Sequence, residues 1–301
     1  MKNQHGTAYG RIEAVLAEGE CVVLDGGVGS EIVRDETGGA SPCSVGQPRD
    51  TWAIYDLPGR VLEVHRQYAS AGCHVISTHT WGILGSIASG RGRRPGRTGL
   101  PAWTVATRDA VTMARRGIAD AGRTGQCAVA FCLNDADPLL AGEQVLLGLL
   151  WSIDPPDLVL VETLTTIPSP ALSSAIAEVA ASGLPVWVSF RRPGIESSGE
   201  TPGSFSRALA ELEQAGVQAV LVNCLPVKET SDALAELAGA TALPVGCYPR
   251  LDEELDSADY AELSMGWRAQ GARIIGGCCG VGPAHIHAMR DRLALRAQTR
   301  T

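Results

Sequence analysis

Clustered positive charge and long apolar runs are both missing from this chain of 301 residues. Lys and Arg number 25 against 33 Asp and Glu, giving a formal charge of -8. Phosphate backbones are held by concentrated Lys and Arg, so the charge argues against nucleic acid as the main partner. The single basic run is RGRRPGR, Arg91 to Arg97. Its glycines and proline read as a solvated loop, with a lid or anion-contacting loop as the other reading. No stretch reaches the roughly 18 apolar residues of a membrane helix. The opening MKNQHGTAYGRIEAVLAEGE holds no apolar segment of signal-peptide length. A cytoplasmic protein without a membrane partner is expected. In a reducing compartment its nine cysteines should be free or metal-bound, not paired.

What the chain has is alternation. Short β-branched runs read as strands: CVVLD (Cys21 to Asp25), HVIST (His74 to Thr78), CAVAFC (Cys127 to Cys132), DLVLVE (Asp157 to Glu162), PVWVSF (Pro185 to Phe190), VQAVLVN (Val217 to Asn223), LPVGCY (Leu243 to Tyr248) and ARIIGG (Ala272 to Gly277). Between them, stretches such as RVLEVHRQYASAG, TRDAVTMARRGIADAG, PALSSAIAEVAASG, SFSRALAELEQAG and DALAELAGA repeat apolar residues at helical spacing. Gly72, Gly122, Gly183, Gly216 and Gly271 stand where helix stops are expected. Eight βα units predict an α/β fold, a (β/α)8 TIM barrel forming a single domain over residues 1–301, with an open doubly wound sheet as the runner-up. Two long excursions, at about residues 28–58 and 81–102, predict loop insertions at the C-terminal mouth, where barrels of this kind place their chemistry.

Polar and reactive residues collect at the predicted strand ends: Asp25-Gly26-Gly27, Thr78-His79-Thr80, Glu162-Thr163, Asn223-Cys224, Tyr248-Pro249-Arg250 and Gly277-Cys278-Cys279. A barrel turns these ends toward one another, so Cys224, Cys278 and Cys279 should converge. Three thiolates suffice for a zinc ion with one position open to substrate. Adjacent cysteines on a regular strand point to opposite faces. Glycines at 276, 277 and 280 allow the backbone to bend there, and a vicinal disulfide or redox pair is the rival reading. The other six cysteines (Cys21, Cys43, Cys73, Cys127, Cys132, Cys247) read as small core residues. Asp25 either serves the site or caps a turn. Glu162 ends an apolar run and needs a partner, either a cationic substrate group or a structural Lys or Arg. His79 reads as a hydrogen-bonding loop residue, with metal ligation as the minority reading.

The segments DGGVGSEI, HRQYASAG with STHTW, DLVLVET, PVWVSF, SSGETP, LVNCLP and GGCCGVGPAHI, in this order along nearly the whole chain, resemble the zinc-dependent homocysteine S-methyltransferase family. The resemblance implies a methyl group transferase of methionine biosynthesis that forms methionine from L-homocysteine and a small-molecule methyl donor. It implies Zn2+ on Cys224, Cys278 and Cys279, the amino group of homocysteine on Asp25 and Glu162, its carboxylate on backbone amides at Gly26 and Gly27, and Asn223 orienting the metal loop. A chain of 301 residues leaves no room for a folate or cobalamin module, which favours a small onium donor such as S-methylmethionine or S-adenosylmethionine. Trp81 or Trp52 would face the onium methyl group, and either reads equally as a packing residue. His74, His79, FCLNDADP and Arg250 depart from the family pattern. A betaine-like donor or a specialised thiol or selenol acceptor therefore stays open. So do a structural or sensor zinc barrel, a zinc hydrolase or lyase, and a homo-oligomer.

Overall fold

Strands β1 (Val22–Val23), β2 (Val75–Ser77), β3 (Ala128–Asn134), β4 (Leu158–Leu164), β5 (Val186–Phe190), β6 (Val217–Pro226), β7 (Val245–Arg250) and β8 (Ile274–Ile275) are joined side by side in the order β1-β8-β7-β6-β5-β4-β3-β2, every pair parallel. A bridge between Leu24 and Val75 closes the ring, with the Asp25 N–H on the Val75 carbonyl at 3.1 Å and the His74 N–H on the Val23 carbonyl at 2.7 Å. The fold is a (β/α)8 TIM barrel, and the open sheet is excluded. The computed structural model describes residues 7–34, 52–82, 102–134, 155–164, 168, 170–191 and 203–298. Cys43, the Arg91 to Arg97 run, SSGETP and most of both predicted insertions lie outside them.

The period of two along each strand divides the core into two shells. Val22, Leu24, Val75, Ala128, Ala130, Cys132, Leu158, Leu160, Trp187, Ala219, Leu221, Tyr248 and Ile274 fill the barrel interior. Their sequence neighbours, among them Val23, Ile76, Val129, Phe131, Val159, Val188, Val220 and Ile275, pack outward against the helices. Strands buried on both faces are continuous apolar runs, and this is why they were legible. Each fully buried aliphatic side chain contributes about 1.5–3 kcal/mol before the entropy of ordering it is subtracted.

The described helices are α1 (Thr7–Ala17), α2 (Val28–Val33), α3 (Ala53–Asp56), α4 (Pro58–Ala71), α5 (Ala102–Asp120), α6 (Pro170–Ala181), α7 (Ser204–Gln214), α8 (Val227–Ala240), α9 (Ser257–Ala269) and α10 (Pro283–Gln298). The five predicted stop glycines all have left-handed φ, from 68° at Gly122 to 105° at Gly271, a conformation an L side chain resists. The amphipathic pattern did not single out α1, α9 or α10. Helix α1 covers the N-terminal end of the barrel: Tyr9 and Ile12 join the interior shell, and the Trp187 indole N–H reaches the Tyr9 hydroxyl at 3.3 Å. Within the first predicted insertion, α2 and α3 are helical. Among the described residues no helix is long and apolar enough to cross a membrane.

Candidate active site

At the C-terminal end of the strands the three cysteines predicted to converge do so: the Sγ atoms of Cys224, Cys278 and Cys279 lie within 4.8 Å of one another. Two local distortions bring them there. In β6 the pairing with β7 slips between Asn223 and Pro226, and Cys224 adopts φ 53°, alone among described non-glycine residues in left-handed backbone. Such a bulge re-aims a side chain, and the left-handed residue stores strain of order 1–3 kcal/mol. The Arg250 guanidinium donates to the Cys224 carbonyl at 2.7 Å while pairing with Asp252 at 2.6 Å, and so fixes the bulge. Strand β8 ends at Ile275, and Cys278 and Cys279 follow in a turn, with Sγ atoms 3.8 Å apart as free thiols. The vicinal disulfide is absent. Among the described cysteines the remaining five are buried free thiols, as expected for core residues.

The turn is held against the Asp25-Gly26-Gly27 loop. The Gly27 N–H and the Tyr68 hydroxyl both donate to the Val281 carbonyl, at 3.0 and 2.8 Å, and the Gly280 N–H donates to Ser30 Oγ at 3.1 Å. A Cβ on Gly27 would stand 2.5 Å from the Cys278 carbonyl, so glycine is required for the two loops to touch. The Gly27 N–H is thereby committed. The Gly26 N–H and the first N–H groups of α2, which have no carbonyl of their own helix, are the donors left in this loop.

Two carboxylates stand inside the mouth. Asp25 is buried, accepting the Ser77 N–H at 2.7 Å and the Ser77 hydroxyl at 2.8 Å. Glu162 is half-buried and accepts the Tyr248 hydroxyl at 3.2 Å, while Tyr248 also bonds the Ser189 hydroxyl. Among the described residues neither carboxylate has a Lys or Arg ion-pair partner. Burial pushes both up to about 7, against the bonds that favour their ionised forms. In the cysteine cluster, hydrogen bonds from the Cys278 and Cys279 thiols push Cys224 down, and the Cys224 thiolate in turn holds Cys278 well up.

A cavity of about 210 Å³ joins these groups, lined by Asp25, Gly26, Gly27, Glu162, Cys224, Cys278 and Cys279 with His79, Trp81, Arg191 and Tyr248. Trp81 is in place to meet a ligand. Trp52 is buried in the outer shell, stacked on Tyr55 with ring centroids 6.1 Å apart, and is not among the lining residues. Asn223 is buried beside Tyr248 in register and does not line the cavity. His79 lines it without joining the sulfur cluster, and His74 accepts the Val23 N–H at 2.9 Å. Sequence reasoning missed Ser77, Ser189 and Arg191. Their signal is the strand period: Ser189 and Arg191 continue the inward face that Trp187 begins.

A family profile described as homocysteine S-methyltransferase matches residues 22–293 of the chain. The chain belongs to the homocysteine S-methyltransferase family. A homocysteine S-methyltransferase of Escherichia coli is 38% identical over 88 residues, 25% of this chain and only 28% of that enzyme's length. Homocysteine S-methyltransferase 4 of Zea mays is 25% identical over 331 residues, covering 94% of this chain and 92% of the other. The crystal structure of the homocysteine methyltransferase MmuM from Escherichia coli, in its metallated form, superposes with a TM-score of 0.71 at 26% identity, covering 94% of this chain and 99% of that one. The family's barrel and this one therefore agree over nearly the whole chain.

Proposed function

We propose that this protein transfers a methyl group from a small onium donor to the sulfur of L-homocysteine, giving methionine, with zinc held by Cys224, Cys278 and Cys279. The observation that carries the reading is the pairing of three gathered thiols with two carboxylates, Asp25 buried and Glu162 half-buried, that have no Lys or Arg partner among the described residues, all on one cavity. The donor set fits the metal: thiolates about 2.3 Å from a tetrahedral zinc stand about 3.8 Å apart, and Cys278 and Cys279 have that spacing. Bound there, zinc would keep the homocysteine sulfur as a thiolate near neutral pH, since a free thiol with a pKa near 8.5 is mostly protonated.

The chain's own residues do the rest. Asp25, oriented by Ser77, and Glu162, oriented by Tyr248, receive the ammonium group and ionise fully as it arrives. The Gly26 N–H and the first N–H groups of α2 face the carboxylate. Trp81 offers an aromatic surface to the onium methyl group. The new sulfur–carbon bond forms as the donor's onium–methyl bond breaks, and the bonding pair leaves with the donor. No residue need act as base on the nucleophile, in keeping with a site whose carboxylates are already committed to an ammonium group.

The reading is tested by zinc-edge X-ray absorption with and without homocysteine, and by following methionine from homocysteine and each candidate donor. A fourth sulfur on the metal and methionine production are expected. An unchanged sulfur shell would point instead to a structural zinc barrel.

A further inference from the structure

Arg191 is a cation that the reading above leaves without a task. It follows β5 directly, where the inward residues are Trp187 and Ser189, so the strand period turns Arg191 toward the mouth two positions above Ser189. Its backbone is fixed: the Arg191 N–H donates to the Leu164 carbonyl at 2.8 Å. Phe190 is registered beside Val222, which sets Arg191 beside Asn223 and one residue from Cys224. Its charge acts on the Cys224 sulfur, and its side chain lines the cavity while exposed to solvent. Among the described residues its guanidinium has no carboxylate partner.

A guanidinium inside a ligand cavity, with no carboxylate partner among the described residues, suits a ligand carboxylate, which it grips through two parallel N–H bonds. The carboxylate of homocysteine has a site already in the amides that follow β1. Strands β1 and β5 stand four places apart in an eight-stranded ring, on opposite sides of the mouth. One small amino acid lying between Asp25 and Glu162 leaves Arg191 for a second anion. A bare onium would gain nothing there and would meet like charge.

We propose that Arg191 is the residue that anchors the carboxylate of the onium methyl donor and so sets the preference of this site for a carboxylate-bearing donor over a simple cation. This rests on the methyl-transfer reading and assigns the donor half of the site. The carboxylate stays on Arg191 while the onium end turns toward the sulfur cluster beside Cys224. On transfer the donor's onium centre becomes neutral, so its hold on the aromatic surface weakens while its carboxylate bond does not.

The test is equilibrium binding of S-methylmethionine, glycine betaine and trimethylsulfonium to the zinc-loaded full chain and to its Arg191→Met and Arg191→Lys variants, with homocysteine binding and zinc content measured in parallel. The proposal expects wild-type protein to bind at least one of the carboxylate oniums at least tenfold more tightly than trimethylsulfonium. Arg191→Met should lose roughly 10- to 100-fold toward that ligand, the scale of a hydrogen-bonded charge pair, and should show no loss toward trimethylsulfonium. Homocysteine affinity and zinc content should stay within twofold, and Arg191→Lys should recover part of the loss. Equal binding of all three oniums by wild-type protein, or a loss in Arg191→Met that falls on homocysteine or on zinc, would overturn it. Because binding is read without turnover, intact donor selectivity with no methionine formed would reject the methyl-transfer reading and leave the anchor standing.

Discussion

Replacing Asp25 with Asn should make the ligand-free protein more stable near pH 8 while weakening its grip on homocysteine. Asp25 is 1% exposed, and burial lifts its carboxyl from 3.8 to about 7. The folded state therefore binds this proton more tightly than the unfolded chain. Below about pH 4 both states are protonated and the group's contribution to stability is fully present. As pH rises the unfolded chain ionises first, and the contribution is lost progressively until the folded group has ionised, near pH 7. A shift of about three units corresponds to roughly 4 kcal/mol at most, since one unit is about 1.4 kcal/mol. Asn keeps an oxygen for the Ser77 N–H but gives up about 1 kcal/mol of charge-assisted bonding, leaving a net gain of about 1–3 kcal/mol above pH 7. For a barrel of this size that is about 2–5 °C in Tm. The assay is thermal unfolding followed by circular dichroism from pH 5 to 8, comparing variant and wild type at equal zinc loading so that metal effects cancel. The gap should open as pH rises and close when saturating homocysteine supplies an ammonium group to the wild type. An Asn variant less stable than wild type at pH 8, or a gap that does not change with pH, would refute the reasoning.

Other substitutions separate the parts of the site. Cys278→Ala should abolish stoichiometric zinc in metal analysis and abolish turnover, yet keep the far-ultraviolet dichroism of the barrel, because the turn lies beyond the last residue of β8; global unfolding would mean the metal is structural. Glu162→Ala should retain zinc and weaken homocysteine roughly tenfold or more in calorimetric titration, the value of a hydrogen bond to a charged group, and zinc loss there would show its role to be different. Gly27→Ala places a Cβ 2.5 Å from the Cys278 carbonyl. It should cost about 1–3 kcal/mol as overpacking does and lower zinc affinity in a chelator competition, whereas unchanged affinity would show that the two loops are not coupled.

The parts of this protein that were legible in its sequence are those encoded by local pattern. Buried parallel strands must be apolar on both faces, so all eight appeared as β-branched runs, and helices that end in left-handed glycine announced their ends. The strand ends were less legible. Strands β6 and β7 run on through Pro226 and Arg250, whereas β1 and β8 pair over two residues each, because pairing length is set by neighbours across the barrel. Helix α1 went unseen because its apolar side chains answer to the open end of the barrel, a surface that exists only once the strands have closed. At the site, residue types were legible but their geometry was not. Asparagine or glycine would advertise a left-handed position, and Cys224 advertises nothing, since its backbone is held by the slip against β7 and by Arg250.

The same limit hid the donor side. The proposed acceptor half is written in residues whose chemistry is unusual wherever they stand, three thiols and two carboxylates at the ends of apolar runs. An arginine after a strand is ordinary on a surface. It becomes informative when the inward set Trp187, Ser189 and Arg191 is traced up one strand and the next strand is found to carry Cys224 one residue beyond its height. A mouth with Asp25 and the free amides that follow β1 on one side and Arg191 after β5 on the other is polarised across its width. Two zwitterions entering such a mouth orient in opposite senses, and the one whose carboxylate is drawn to β5 presents its cationic end to the sulfur.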